Sequence, residues 1–286
     1  MIIDPKIELR ELHSSPITPL DYTTITTCDE LLFYDERYGK SRTALWNPWL
    51  RQVKMIPSKE EFRVFGLGYD NSRPEKVYKI LGYSYCRHNE GTAIYDCASQ
   101  ALKFIDTPEK NWLLSPTAER SKVSLNGNLY WITLNDETRE HIIRSFDFST
   151  ESILTFCLLP CQINYVLDEL LVAVFKRDGF LLLKQSYSTK KIEIWVTKNK
   201  IDKEEVVWIK LMTLTSSNLP ILFNNLCSYF IYEKTLFMCC GYNNACIYIM
   251  RGDTCKKFQI QYGIGIFVCR HCVSTPSLIS VPLFSG

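Results

Sequence analysis

The sequence predicts an all-β fold, and three observations carry that expectation. The first is Lys191-Ile-Glu-Ile-Trp-Val-Thr197, where Ile192, Ile194 and Val196 alternate with Glu193, Trp195 and Thr197. A period of two marks a strand with two different faces. After a densely charged stretch from Lys198 to Glu205, apolar alternation resumes at Val207, Ile209 and Leu211, with Trp208 on the other face. Two strands joined by a solvated loop make an antiparallel hairpin. The second observation is a recurrence. An apolar–aromatic pair stands at Leu45-Trp46, Ile94-Tyr95, Ser145-Phe146, Ile194-Trp195 and Ile247-Tyr248, with Ser145 the exception in the apolar slot. The intervals between the aromatics are 49, 51, 49 and 53 residues. Each pair is followed by a turn and a second strand carrying Val53, Phe104, Leu154, Ile209 or Phe258. The third observation is that no stretch has the period of a long amphipathic helix. A repeat of about 50 residues holding about four short strands is the signature of propeller blades. The expected architecture is therefore a propeller-like array of about five to six antiparallel blades of roughly 50 residues. A pair of β-sandwiches is the alternative.

The elements follow in chain order. Residues 1–20 are turn-rich, with Pro5, Pro16 and Pro19, and a weak helix is expected at Lys6 to Leu12. Ile25 to Tyr34 reads as a strand pair around Cys28-Asp29-Glu30, and Thr43 to Trp46 as a strand stopped by Asn47-Pro48, because proline holds its own φ and biases the preceding residue away from the helical region. Val53 to Ile56 begins the return strand. Phe62 to Tyr69 and Val77 to Tyr85 are separated by a polar turn at Asp70 to Pro74, and Ala93 to Asp96 pairs with Leu102 to Ile105. Lys122 to Leu125 and Asn128 to Ile132 flank Asn126-Gly127. Asn-Gly supplies the two positive-φ positions of a type I′ turn, so this is a two-residue hairpin. Further strands are expected at Ile143 to Phe148, Ile153 to Leu158, Leu170 to Phe175 and Phe180 to Leu183. Beyond the 191–211 hairpin they follow at Tyr229 to Ile231, Thr235 to Cys240, Cys246 to Met250 and Lys257 to Ile260.

Composition narrows the function. Of 286 residues, 46% are hydrophobic and 22% charged, and the net charge is +2. That balance gives no footprint for nucleic acid or an acidic membrane surface. The start has no basic segment followed by a long apolar run, and the longest apolar run, Leu170 to Phe175, is far short of a membrane span. The twelve cysteines are irregularly spaced, and Cys157, Cys239 and Cys246 sit inside strand patterns, where a free thiol acts as a small hydrophobe. The expectation is a reducing compartment, cytoplasmic or nuclear, with no nucleic-acid or membrane partner.

Several motifs that suggest chemistry have plainer readings. Gly39-Lys40-Ser41 ends like a phosphate loop, but Tyr34 stands where that loop needs glycine. Gly66 and Gly68 lack the third glycine and the following helix of a dinucleotide site, and read instead as strand glycines against a neighbour's backbone. Cys269-Arg-His-Cys272 has metal-type spacing without a second pair. His13, His88, His141 and His271 share no spacing. The tryptophans read as blade core rather than a ligand cage, and Lys198 to Glu205 as a solvated hairpin tip. No catalytic, cofactor-binding or metal residue is assigned, no cofactor is expected, and the partner-binding residues are left open.

Taken together, these segments resemble a known family. Cys28-Asp29 with Leu31-Leu32, Leu45-Trp-Asn-Pro-Trp-Leu50, Phe65-Gly-Leu-Gly-Tyr-Asp70, Tyr78-Lys-Ile80 and Ile94-Tyr-Asp96 occur in order. Val123 with Gly127-Asn-Leu-Tyr-Trp131, Ser145-Phe-Asp-Phe148, Lys191 to Thr197, and Trp208 with Lys210 complete the series. The chain is similar to the F-box-associated type 1 domain, the C-terminal half of a large plant family of F-box proteins. It departs from the pattern at Glu30, where the family usually has glycine, and at Val273-Ser-Thr-Pro-Ser-Leu278. The family's helical F-box, with Leu-Pro near its start, has no counterpart here. Leu159-Pro160 and Leu219-Pro220 both fall in the β region. The expected division is 1–20, an N-terminal segment without an F-box, and 21–286, the F-box-associated type 1 domain. The resemblance implies a non-enzymatic protein-interaction module, the substrate-recognition domain of an SCF-type (Skp–cullin–F-box) ubiquitin ligase receptor. Its partner is an unknown target protein, with a Skp-type adaptor only if an F-box is supplied. The alternatives are a propeller-type carbohydrate-active or hydrolytic enzyme, or a truncated non-functional paralogue.

Overall fold

A computed structural model describes residues 23–28, 31–36, 43–47, 50–56, 62–86, 89–107, 118, 121–135, 137–163, 165, 167–201, 205–215, 218–222, 227–240 and 246–259. Among these lie five four-stranded antiparallel sheets, each built from consecutive strands in sequence order. Blade 1 holds β1 (Thr23–Cys28), β2 (Leu31–Glu36), β3 (Thr43–Asn47) and β4 (Gln52–Ile56). Blade 2 holds β5 (Phe62–Asp70), β6 (Val77–Cys86), β7 (Asn89–Asp96) and β8 (Leu102–Phe104). Blade 3 holds β9 (Lys122–Leu125), β10 (Asn128–Leu134), β11 (His141–Asp147) and β12 (Ser152–Leu158). Blade 4 holds β13 (Glu169–Phe175), β14 (Gly179–Gln185), β15 (Ile192–Thr197) and β16 (Trp208–Leu214). Blade 5 holds β17 (Cys227–Tyr232), β18 (Thr235–Cys240), β19 (Cys246–Arg251) and β20 (Thr254–Gln259). The first strands β1, β5, β9 and β13 touch one another, while β8, β12, β16 and β20 are almost entirely half-buried or exposed along their length. The first strand of each blade thus lines the centre and the fourth lies outside. This is a five-bladed β-propeller with essentially no helix. The expected weak helix at Lys6 to Leu12 lies outside the described residues.

The recurrent apolar–aromatic pair falls on the third strand of every blade: β3, β7, β11, β15 and β19. Its two members point opposite ways, because successive strand side chains alternate. Leu45 joins the core between blades 1 and 2, Ile94 that between blades 2 and 3, and Ile194 that between blades 4 and 5. The aromatics turn toward the preceding blade. Tyr95 packs toward blade 1, Phe146 toward blade 2, Trp195 toward blade 3 and Tyr248 toward blade 4. The pairs Ile94-Tyr95 and Ile194-Trp195 are therefore two-sided wedges, and the core is a set of layers between sheets. The one small residue in the series, Ser145, is buried opposite Tyr130. The Tyr130 ring packs edge-on against Phe156 and Phe180, each with ring centres 5.0 Å away, and fills that space.

The polar residue that follows the pair closes the turn. The Asn47 side chain accepts the Leu50 N–H at 3.0 Å, Asp96 accepts those of Ala98 and Ser99 at 2.9 and 2.8 Å, and Asp147 accepts that of Ser149 at 2.8 Å. Asn and Asp favour such sites because a short side chain can bond the backbone two or three residues on. Blade 4 departs from this, with Val196 after the pair; there the Thr197 hydroxyl reaches across to β14 and accepts the Phe180 N–H at 3.0 Å.

Three strand pairs carry bulges, and they explain where simple alternation fails. In β5 the register shifts between Val64 and Gly66, so Val64 and Leu67, three residues apart, both face blade 1. In the β15–β16 pair the shift at Ile194/Trp195 leaves Leu211 as the extra residue. There β16 runs from Trp208 to Leu214, past Leu211, the expected end of the hairpin. Val207, just before the strand, and Ile209 within it are exposed, while Trp208 packs on the core between blades 3 and 4.

Candidate protein-interaction face

In a meander, successive connections alternate between the two ends of the sheet, so the propeller has two unlike faces. One face carries the turns between first and second strands and between third and fourth. Several of these are short: Asn126-Gly127, residues 176–178, Glu233-Lys234 and Gly252-Asp253. Asn126 and Gly127 both have positive φ, 51° and 78°, the expected type I′ turn. That turn reaches into the neighbouring blades. Gly127 O accepts the Tyr69 N–H at 2.9 Å, and the Asn71 side chain donates to Asn126 O. Asn126 Nδ2 donates to Ile201 O at 3.1 Å. Ile201 corrects the expectation of a purely solvated tip for Lys198 to Glu205. Its side chain is buried in the core between blades 3 and 4, and its N–H bonds Asp178 O at 2.6 Å. A single apolar residue in a charged run is enough to tack the loop down.

The same face holds an ionic clasp between blades 2 and 3. Lys79, largely buried, donates to Phe148 O at 3.1 Å and to Glu151 Oε1 at 3.0 Å, and Lys103 pairs with Glu151 Oε2. Burial pushes the Glu151 carboxyl up, but Lys103 and Lys79 outweigh it and hold its pKa below the ordinary value of 4.5. A carboxylate with a lowered folded pKa contributes stability that is present above its unfolded pKa and lost as pH falls through the folded one. The unfolding free energy is therefore expected to drop on acidification below the ordinary value of 4.5, and Glu151→Gln should flatten that limb. Denaturant unfolding at a series of pH values checks this. An acid limb of equal slope in the variant would show that Glu151 is not responsible.

The opposite face carries the longer connections, and around blade 4 three of them are fixed from beneath by buried polar residues. Gln185, at the end of β14, donates from Nε2 to Pro220 O at 2.7 Å and to Lys190 O at 3.2 Å, and its Oε1 accepts the Leu222 N–H at 2.7 Å. Buried Asp168 accepts the Tyr187 N–H at 3.0 Å, and its own N–H bonds Tyr165 O at 3.0 Å. Buried Lys184 stands 4.0 Å from the Asp168 carboxylate and donates to Gln162 O. A buried polar group is costly unless bonded, so each of these residues also dictates the path of the loop that satisfies it. Above them the connections present Tyr165 (61% exposed), Leu167 (36%), Tyr187 (43%) and Ile221 (40%). The signal that sequence reasoning missed was Lys184-Gln185, a polar pair ending the otherwise apolar run Phe180 to Leu183.

The motifs that suggest chemistry fall elsewhere. Gly66 and Gly68 face blade 3, as their reading as strand glycines against a neighbour requires. A Cβ on Gly66 would lie 2.7 Å from the Leu129 methyls, and one on Gly68 would fall on Gly127 O and the Phe148 ring. Trp131 and Trp195 are buried, Trp208 packs against the same core as Trp195, and Trp46 is half-buried. His141 is half-buried at the start of β11, and burial, Arg139 and Lys184 lower its pKa. Gly39-Lys40-Ser41, Cys269, Cys272, His13, His88 and His271 lie outside the described residues. Among the described residues, no group of three or more His, Cys, Asp and Glu side chains could hold a metal. Cys157 and Cys161 are free thiols, and burial pushes the first up to about 12 and the second to about 11. Among the described residues, no helix is long and apolar enough to cross a membrane.

Fold and face together describe a β-propeller scaffold whose described loop residues are tied down by buried polar side chains. The chain belongs to the F-box associated beta propeller domain family, whose model matches residues 1–281. It is 55% identical over 304 aligned positions to Protein SUPPRESSOR OF NIM1 1 of Arabidopsis thaliana, covering 99% of this chain and 81% of that protein. It is 51% identical over 300 positions to F-box protein At3g17710 of the same plant, covering 98% of this chain and 79% of that protein.

Proposed function

We propose that this chain is the target-recognition module of an SCF-type ubiquitin ligase receptor and performs no bond chemistry itself. The observation that supports this best is the pinned set of loops at blade 4, which holds exposed aromatic and aliphatic side chains on a rigid frame. Binding residues characteristically sit on loops positioned in this way, and large side chains held ready to bind lose little freedom on association. Membership of the F-box-associated family supplies the context of ubiquitin-dependent degradation in the cytoplasm or nucleus. In this reading the domain proper spans residues 21–286, and a Skp-type adaptor is reached only through an F-box supplied in the same polypeptide.

The test joins the chain behind an F-box and expresses it in plant cells with the proteasome blocked. A discrete set of ubiquitylated proteins should be enriched, and Tyr187→Ser with Ile221→Ser should remove it. Unchanged ubiquitylation in that variant would sink the assignment of the face. The adaptor arm uses purified components. The 286-residue chain alone is expected not to retain Skp-type adaptor, because a specific interface needs on the order of 800 Å² from each partner, contributed in this family by F-box helices. Its F-box fusion should retain it. Retention by the unfused chain would place the adaptor-binding surface on the propeller.

A further inference from the structure

Five of the chain's twelve cysteines fall in blade 5: Cys227, Cys239, Cys240, Cys246 and Cys255. Three of them occupy one row of the sheet. Cys240 ends β18, and directly opposite it stand Cys227, which opens β17, and Cys246, which opens β19. Neither strand pair carries a register shift. Cys227 and Cys246 belong to the layer between blades 4 and 5, so the row lies on the side of blade 5 that faces blade 4. It is at the loop face of the propeller, where each of its strands begins or ends.

The two tight turns of blade 5 decide which neighbours in the row are nearest. Glu233 and Lys234 both have positive φ, 46° and 59°, as in a two-residue type I′ turn. The pair that closes such a turn, Tyr232 and Thr235, exchanges both backbone hydrogen bonds, and the two kinds of pair alternate from there. Phe230–Phe237 and Ser228–Cys239 are then hydrogen-bonded pairs, and Cys227–Cys240 is a non-hydrogen-bonded one. The Gly252-Asp253 turn gives the same phase from the other side. Arg251–Thr254 closes it, so the backbone groups of Cys246 point to β18, and Cys240–Cys246 is a hydrogen-bonded pair. Non-hydrogen-bonded partners have Cα atoms about 4.5 Å apart, against about 5.5 Å for the other kind, and their Cβ atoms are closer. A disulfide asks for Cβ atoms about 3.5–4.5 Å apart. The backbone therefore favours Cys227–Cys240 over Cys240–Cys246.

From this register we infer that Cys227 and Cys240 form an oxidation site, closed to a disulfide by a peroxide. Cys227 is half-buried, which suits a small uncharged oxidant. One of the two thiolates attacks a peroxide oxygen and expels hydroxide, leaving a sulfenic acid. The other thiol attacks that sulfur and water leaves. The thiols lose two electrons and two protons, and hydrogen peroxide is reduced to two waters. The bond encloses residues 228–239, nearly the whole β17–β18 hairpin. In a reducing compartment a bond of this kind is transient. Burial in an apolar layer is met by any small hydrophobe; it does not call for three cysteines in register. The site is independent of the target-binding reading.

The experiment treats the reduced, folded full chain with stepped concentrations of hydrogen peroxide. Remaining thiols are alkylated, and the chain is digested with trypsin without reduction for mass spectrometry. Cleavage after Lys210, Lys234 and Arg251 puts Cys227 on the peptide 211–234 and Cys239, Cys240 and Cys246 on 235–251. The expected first product joins these two peptides through Cys240, and dithiothreitol separates them. Cys227→Ala and Cys240→Ala should each abolish the joined product, and Cys246→Ala should retain it. The map of the unaltered chain decides the matter even where a variant fails to fold. A bond inside 235–251 as the main product, a bond to Cys239, or blade 5 thiols that resist peroxide would overturn the inference.

Discussion

Trp195→Ala should lower the unfolding free energy by about 3–5 kcal/mol, the usual range for deleting a large buried aromatic side chain. Trp195 lies in the layer between blades 3 and 4 with Tyr130, Ile132, Phe180 and Leu182. Its ring also carries the Lys210 ammonium 5.2 Å from its centre. Neither neighbouring sheet can close on the space without breaking its own ladder, so most of the cavity persists. Urea or guanidinium unfolding of the two proteins measures the loss. A difference below about 1 kcal/mol, typical of surface sites, would mean that the indole is not part of the blade junction.

Gly68→Ala is expected to be nearly as damaging, about 3 kcal/mol, at the upper end of overpacking effects. The new methyl would meet a backbone carbonyl, Gly127 O, and a buried ring, Phe148. The carbonyl is fixed because Gly127 accepts the Tyr69 N–H one residue away from the substitution. Relief would require blades 2 and 3 to separate. Phe148→Leu should therefore fail to rescue Gly68→Ala, since the carbonyl stays in place. Unfolding midpoints of the single and double variants decide it, and full rescue would locate the conflict in the ring alone.

How much of this was legible follows from the kind of signal. The blades were visible because an apolar–aromatic pair recurs on the third strand of each, and in Ile94-Tyr95 and Ile194-Trp195 it serves two neighbouring layers at once. Asn126-Gly127 was visible because its turn needs two positive-φ residues. The exposure of Val207 and Ile209 was not, because alternation tells the two faces of a strand apart but not an inner strand from an outer one. Nor was the burial of Ile201, one apolar residue among charges. The candidate face was hidden for a different reason. Its exposed residues, Tyr165, Tyr187 and Ile221, look like core residues in a sequence. Only the partners of Gln185 and Asp168 reveal that the loops carrying them are fixed in place.

The layered core has a consequence for how the protein is made. Each blade is drawn from one unbroken stretch of chain, so a ribosome delivers the blades one after another. Half of each blade's apolar surface belongs to a layer that the next blade must complete. When Leu158 has emerged, Tyr130, Ile132 and Ile143 await Leu170, Phe180, Leu182 and Trp195. At about 5–20 residues per second, the roughly 50 residues of a blade take about 3–10 seconds to arrive. The nascent chain thus carries a bare hydrophobic sheet throughout synthesis, and each new blade covers one surface while exposing another. Chaperone demand should accordingly rise and fall with the period of the repeat.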